Sequence, residues 1–369
     1  MIVMNLKLDN LFSFKEFEIN FSYPKKIVNS TINSEFLSTK TNFRYKKLNI
    51  IMGANASGKT SIGKALMSIF NFISKKEVSR IEAYILDKKK PSCFSIDFLI
   101  NEDYLYRVEG CILFEEKTDV KVFKSKINKD DSYIDAVKKL KELSYNDENI
   151  TEEKADYIRR LNIIPPFGWL FTFPDSGAKS LFGDENDRTL EVSILKSILM
   201  TLDPHITDVR KSQEVKNGFI IDHLNDEIFI DKGEIARKNV LSSGTLSGIE
   251  IAYVLSAIYK NNYGFFYCDE KFSYIQSDVE KSILSLLTYH LKPMTQLFFT
   301  THNLDIVDMN FPIHSFTFLR KCEKINIVDP SKHIKKNDVS LRNAVKNDIF
   351  EIAPDISKIL ELEDGVGDG

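Results

Sequence analysis

Two glycines, a lysine and a hydroxyl stand at fixed spacing in Gly53-Ala54-Asn55-Ala56-Ser57-Gly58-Lys59-Thr60, which satisfies G-x-x-x-x-G-K-[ST] at every fixed position. Such a string does one kind of chemistry well. It wraps backbone N–H groups round a phosphate and opens a helix whose N-terminus points at negative charge. The candidate phosphate contacts are therefore Gly53, Asn55, Ala56, Ser57, Gly58, Lys59, Thr60 and Ser61. Lys59 would reach the β- and γ-phosphates of a nucleotide, and the Thr60 hydroxyl would hold Mg²⁺. Three later strings add groups. Phe265-Phe266-Tyr267-Cys268-Asp269-Glu270 is an apolar run ending in two carboxylates; we assign Asp269 to Mg²⁺ and Glu270 to the attacking water. Leu297-Phe298-Phe299-Thr300-Thr301-His302-Asn303 places His302 to hydrogen-bond a γ-phosphate, or simply to cap a loop. Leu241-Ser242-Ser243-Gly244-Thr245 offers Ser242, Ser243 and Gly244 as a second anion site at a helix start, or as an ordinary N-cap.

The elements that must carry these groups are legible as well. Residues 48–52 read as a short buried strand, and 61–73 as a helix with Ile62, Ala65, Leu66, Ile69, Phe70 and Ile73 on one face. Alternation in 3–7 and 17–21 predicts paired strands, and 94–100 with 104–114 predicts a hairpin across Asn101-Glu102-Asp103. Residues 132–161 turn charged and helical, with Ile134, Val137, Leu140 and Leu143 on one face, until Pro165-Pro166-Phe167-Gly168-Trp169 breaks the pattern. Residues 190–202 predict a helix ending before Asp203-Pro204, and 246–259 another. The expected organisation is an N-terminal lobe over 1–114 with the phosphate loop and a β-subdomain, then a helical insertion over 115–205. A C-terminal lobe over 206–325 holds the later strings, and a helical tail covers 326–369.

With 43% hydrophobic and 28% charged residues over 369 positions, the chain can build a full core and is not globally disordered. A formal net charge of −3 gives no general attraction to nucleic acid or acidic membranes. No apolar stretch approaches a membrane span and the first residues do not read as a signal peptide, so a cytoplasmic location is expected. Cys93, Cys111, Cys268 and Cys322 are scattered in apolar contexts without C-x-x-C spacing, which predicts buried free thiols and no cysteine metal site.

Taken in order, GANASGKT, LSSGT, FFYCDE and FFTTHN resemble the ATP-binding-cassette (ABC) type head, and more narrowly the branch shared by SMC, RecF and overcoming-lysogenization-defect (OLD) proteins. The opening NLFSFKEFEINF and the LMTLDPHI string at 199–206 resemble that branch too; the likeness covers the beginning and roughly 190–320, and 115–189 match nothing in it. The resemblance implies an α/β fold with an N-terminal antiparallel β-subdomain, a parallel-sheet core and a helical insertion. It also implies ATP and Mg²⁺ as ligands, in a homodimer or higher oligomer with ATP sandwiched between copies. Lys59, Thr60, Asp269, Glu270 and His302 would act within one copy, and Ser242 and Gly244 from the other. Two departures point to slow hydrolysis. The family's glutamine between the phosphate loop and the insertion is missing, with the first glutamine at Gln213 and Asp97 as an acidic stand-in. The residues after Glu270 run Lys271-Phe272-Ser273-Tyr274 instead of an acidic residue and Leu-His-Pro. The 67 residues after His302 contain no D-x-D of the toprim nuclease type. The expectation is an ATPase that controls a separately encoded effector protein in bacterial anti-phage defence; the rival is a RecF- or SMC-like DNA-repair ATPase with nucleic acid as partner. Trp169 and the neighbouring aromatics, with a tail helix over 337–362, are the expected effector dock, unless the aromatics fill a small helical core.

Overall fold

A computed structural model of the chain describes residues 1–369 except 28–29, 116, 144–152, 175–189, 216–217, 232–233, 236–240, 335–339, 354–355, 358 and 362–369. Strands β1 (Ile2–Asp9) and β2 (Phe17–Asn20) pair antiparallel, with Phe17 and Ile19 inward and Glu18 and Asn20 outward, as the period of two requires. A small hairpin, β3 (Phe36–Leu37) and β4 (Lys40–Arg44), precedes β5 (Leu48–Gly53). β5 is apolar and buried almost throughout because it is an interior parallel strand covered on both faces. The loop 54–58 leads into α1 (Lys59–Lys75), whose buried side includes all six residues of the expected face. After α2 (Ser79–Glu82) come β6 (Ser92–Leu99), β7 (Tyr104–Ile112) and β8 (Thr118–Lys126), an antiparallel meander.

The stretch 115–205 mixes helices with strands. It holds α3 (Tyr133–Lys138), β9 (Lys141–Glu142), α4 (Glu153–Leu161), β10 (Trp169–Thr172) and α5 (Val192–Leu202). β8 and β9 extend the N-terminal sheet, giving the order β2-β1-β6-β7-β8-β9. The single helix read over 132–161 is broken because Lys141 and Glu142 pair with Lys124 and Phe123, a strand contact that outweighs the local helical stripe. The chain continues through β11 (Ile206–Lys211), β12 (Phe219–His223), β13 (Asp226–Asp231) and β14 (Glu234–Ile235), a separate antiparallel sheet. Then follow α6 (Ser243–Lys260), β15 (Phe265–Asp269), α7 (Ser277–His290), β16 (Gln296–Thr300), β17 (Phe316–Lys321) and β18 (Ile325–Val328). The short helices α8 (Pro330–His333) and α9 (Leu341–Lys346) follow, and residues 357 and 359–361 are helical as well. Among the described residues the tail is not one continuous helix: α9 ends at Lys346 with Asn347 as its cap, and Asp348 and Glu351 have positive φ of 47° and 52°. Residues 335–339 and 362–369 of that expectation lie outside the described residues.

The central sheet has the order β10-β15-β16-β5-β17-β18, parallel except for β18. Side chains alternate between its faces. Tyr267, Phe298 and Ile51 join α1 and the N-terminal sheet in one core, while Phe266, Phe299, Ile50 and Met52 join α5, α6 and the 206–230 strands in the other. Gln296, fully buried, staples the two sheets: its Oε1 accepts from Val3 N (2.8 Å) and its Nε2 donates to Val3 O (3.1 Å) and Lys46 O (2.9 Å). Trp169 is only 5% exposed and stacks edgewise on Phe70, so neither the partner-anchor reading nor the helical-core reading holds; these aromatics belong to an edge strand of the central sheet. The cysteine expectation also fails in part: Cys93 and Cys111 face each other across β6 and β7 as a disulfide, Cys322 is exposed, and only Cys268 is a buried free thiol.

Candidate functional site

β5 lies between β16 and β17, with β15 one strand further on, so the carboxyl ends of β5, β15 and β16 open side by side. Ligands of open parallel sheets gather at that edge. The loop between β5 and α1 is shaped by backbone needs. Gly58 has φ 104° and Ala56 φ 61°, and a Cβ on Gly53 would stand 2.5 Å from Leu319 O, so glycine at 53 and 58 is obligatory. α1 is seated by a second close approach: a Cβ on Gly63 would meet the Tyr267 ring at 2.5 Å, and the buried Tyr267 hydroxyl donates to Lys59 O at 2.7 Å.

Lys59, 5% exposed, folds back on its own loop and donates to Gly53 O (2.7 Å) and Ala54 O (3.2 Å) while its Nζ lies 3.1 Å from Glu270 Oε1. The Thr60 hydroxyl donates to Asp269 Oδ2 at 2.6 Å, and the Thr300 hydroxyl donates to Asp269 Oδ1 at 2.6 Å. Thr300 also accepts from Glu270 N at 3.0 Å, fixing a residue whose φ is 46°. Burial pushes the Asp269 carboxyl above the usual carboxylate range, against the two threonine hydroxyls that pull it down. Ser57 Oγ is buried with no hydrogen-bond partner among the described residues. An unpartnered buried hydroxyl beside the Lys59 ammonium is a donor pair that an anion would satisfy.

A cleft of about 910 Å³ opens from the loop, lined by Gly53, Ala54, Asn55, Ser57 and His302, with Arg320 and Lys321 of β17 and Lys346, Asp348 and Glu351 on the far wall. His302 lines this cleft together with the loop that follows β5. Ser61 is half-buried in the first turn of α1, and Ala56 is exposed in the loop. Ser242, Ser243 and Gly244 do not line this cleft. Ser242 caps α6, accepting from Thr245 N at 3.1 Å, and Ser242 and Ser243 face solvent. Asp97 is no stand-in for the missing glutamine: its carboxylate is held by Arg107 (2.6 and 2.8 Å) and the Tyr133 hydroxyl (2.6 Å) inside the N-terminal sheet. Sequence reasoning missed Thr300, Tyr267, Gly63 and the wall at 345–353. Thr300 had a signal, a hydroxyl at the last position of an apolar strand beside another strand's terminal Asp; the wall had none.

The fold is an α/β head in which the 53–60 loop and the ends of β15 and β16 meet at one edge of the central sheet. No protein-family model and no curated protein matches the chain. Solved structures do. An SMC head bound to the C-winged helix domain of ScpA is 15% identical, covering 90% of this chain and 100% of that one with a TM-score of 0.51. The Pyrococcus furiosus SMC head domain with an extended coiled coil, bound to the C-terminal domain of ScpA, is 13% identical over 90% and 98%, with a TM-score of 0.52. The chain has the fold of SMC head domains.

Proposed function

We propose that this chain binds and slowly hydrolyses ATP in the cleft beside residues 53–60, in a site that a second copy completes through its own Ser242, Ser243 and Gly244. The observation that supports this most directly is the convergence of Lys59, Thr60, Asp269 and Glu270, drawn from two distant segments, within 3.1 Å contacts beside the orphaned Ser57 hydroxyl. Lys59 is the cation that offsets γ-phosphate charge once it leaves Glu270 and the loop carbonyls. Thr60 and Asp269 would hold Mg²⁺, which when bound offsets charge on the phosphates. Glu270 accepts a proton from the water that attacks the γ-phosphorus, as the bond from that phosphorus to the ADP oxygen breaks. His302 donates to the γ-phosphate from the opposite rim. The exposed Ser242 and Ser243 at the start of an 18-residue helix face out of the molecule, which is the placement that contact in trans requires.

In its biological setting we read the chain as an ATP-driven controller of a separately encoded effector in anti-phage defence, a reading supported by the motif resemblance alone. Among the described residues, no helix is long and apolar enough to cross a membrane. The site is tested by Lys59→Ala. Phosphate release from ATP should vanish and ATP affinity should fall at least about 100-fold, the loss of a charge-assisted contact of roughly 3 kcal/mol. Unchanged affinity with retained fold would remove Lys59, and with it the proposed site.

A further inference from the structure

Beside the start of α6, three residues from two segments of the fold converge. Asp203 ends α5, His205 precedes β11, and His223 ends β12. One ligand atom of each lies within 4.8 Å of the other two. His205 Nδ1 stands 3.3 Å from Asp203 Oδ1, and His223 Nε2 stands 3.5 Å from Asp203 Oδ2. Charge-assisted hydrogen bonds between such groups close to about 2.7–2.9 Å. Ligands held at about 2.0–2.1 Å round a tetrahedral zinc ion stand about 3.3–3.4 Å apart. Each imidazole thus stands at ligand–ligand spacing from its nearer carboxylate oxygen, His205 from Oδ1 and His223 from Oδ2.

We propose that Asp203, His205 and His223 bind a divalent transition-metal ion of the Zn²⁺ class. Two imidazole nitrogens and one carboxylate oxygen suit that class; Ca²⁺ and Mg²⁺ take oxygen ligands. The site has the partial enclosure of a three-ligand centre with an open position: the His223 and Asp203 side chains are 9% and 13% exposed, and His205, at 65%, forms the lip. Contacts beyond these three residues lead to the start of α6. The buried Thr245 hydroxyl lies 3.4 Å from Asp203 Oδ2 and 2.8 Å from Ser242 Oγ, so an ion that orients Asp203 also orients the hydroxyl that caps α6. Any effect of the ion on dimer formation rests on the trans role proposed above for Ser242; ion binding itself does not.

The test uses the full-length chain without nucleotide. Zn²⁺ titration calorimetry should give one site per chain, and Co²⁺ substitution should give the visible bands of a tetrahedral centre. His205→Ala, at an exposed position that leaves the core intact, and His223→Asn should each weaken Zn²⁺ binding by at least about tenfold, a usual cost for losing a ligand or its support. They should also abolish the Co²⁺ spectrum, with unfolding temperatures in chelator unchanged for His205→Ala. Less than half an equivalent of Zn²⁺ on the wild type, or equal affinity in His205→Ala, overturns the site. If Zn²⁺ binds as stated while Lys59→Ala keeps full ATPase activity, the metal site stands and the nucleotide reading falls.

Discussion

Glu270→Gln separates water activation from every other property of the site. Glu270 Oε1 lies 3.1 Å from Lys59 Nζ with the glutamate side chain 22% exposed, and its backbone N–H is held by the Thr300 hydroxyl and carbonyl. Exchanging one oxygen for an amide keeps that backbone anchor, so the loop geometry survives. Two effects then act in opposite directions. Removing a positioned general base costs about 10²–10⁴ in rate, or roughly 3–5 kcal/mol of barrier. Removing the carboxylate also releases Lys59 from a partly exposed ion pair worth about 1 kcal/mol or less, so ATP affinity should stay the same or tighten by at most about fivefold. The catalytic loss dominates by several kcal/mol. Phosphate release at saturating ATP should fall at least about 100-fold, while a fluorescent ATP analogue binds as tightly as to wild type or slightly better. ATP-induced dimers, by light scattering, should persist because the trapped nucleotide is no longer consumed. A kcat within about threefold of wild type would place the base elsewhere, and a Kd weakened more than about tenfold would mean that Glu270 holds the nucleotide instead of the water.

Ser242→Arg puts bulk and charge on an exposed helix cap; folding and ATP binding by the monomer should persist at a stability cost of about 1 kcal/mol, with no ATP-dependent dimer and no turnover. Dimers of this variant in ATP would reduce the LSSGT segment to a cap. Gln296→Leu strips three backbone groups of their buried partner and should lower the unfolding free energy by roughly 3 kcal/mol in urea titration; a loss under about 1 kcal/mol would show that the two sheets do not depend on that staple.

The residues of the candidate site stand in short strings because the demands of such a loop are local. A phosphate loop needs glycine where the backbone turns at positive φ, as at Gly58, and a lysine and hydroxyl one helical step later. Apolar runs closing on Asp269-Glu270 and on His302 announce buried parallel strands, and the N-terminal hairpin and the face of α1 followed from period alone. Tertiary contacts settled the rest. Whether 132–161 would be helix or strand depended on β8 being free to pair, and Trp169 is buried because β15 offered it an edge. Thr300 became the bracket between Asp269 and Glu270 only through the register of β15 against β16. The same holds for Gln296 between two sheets, for the 345–353 wall of the cleft, and for the meeting of Asp203 with His223. These are energies between segments far apart in the chain, and periodicity within a window records only the half of each contact that lies inside it.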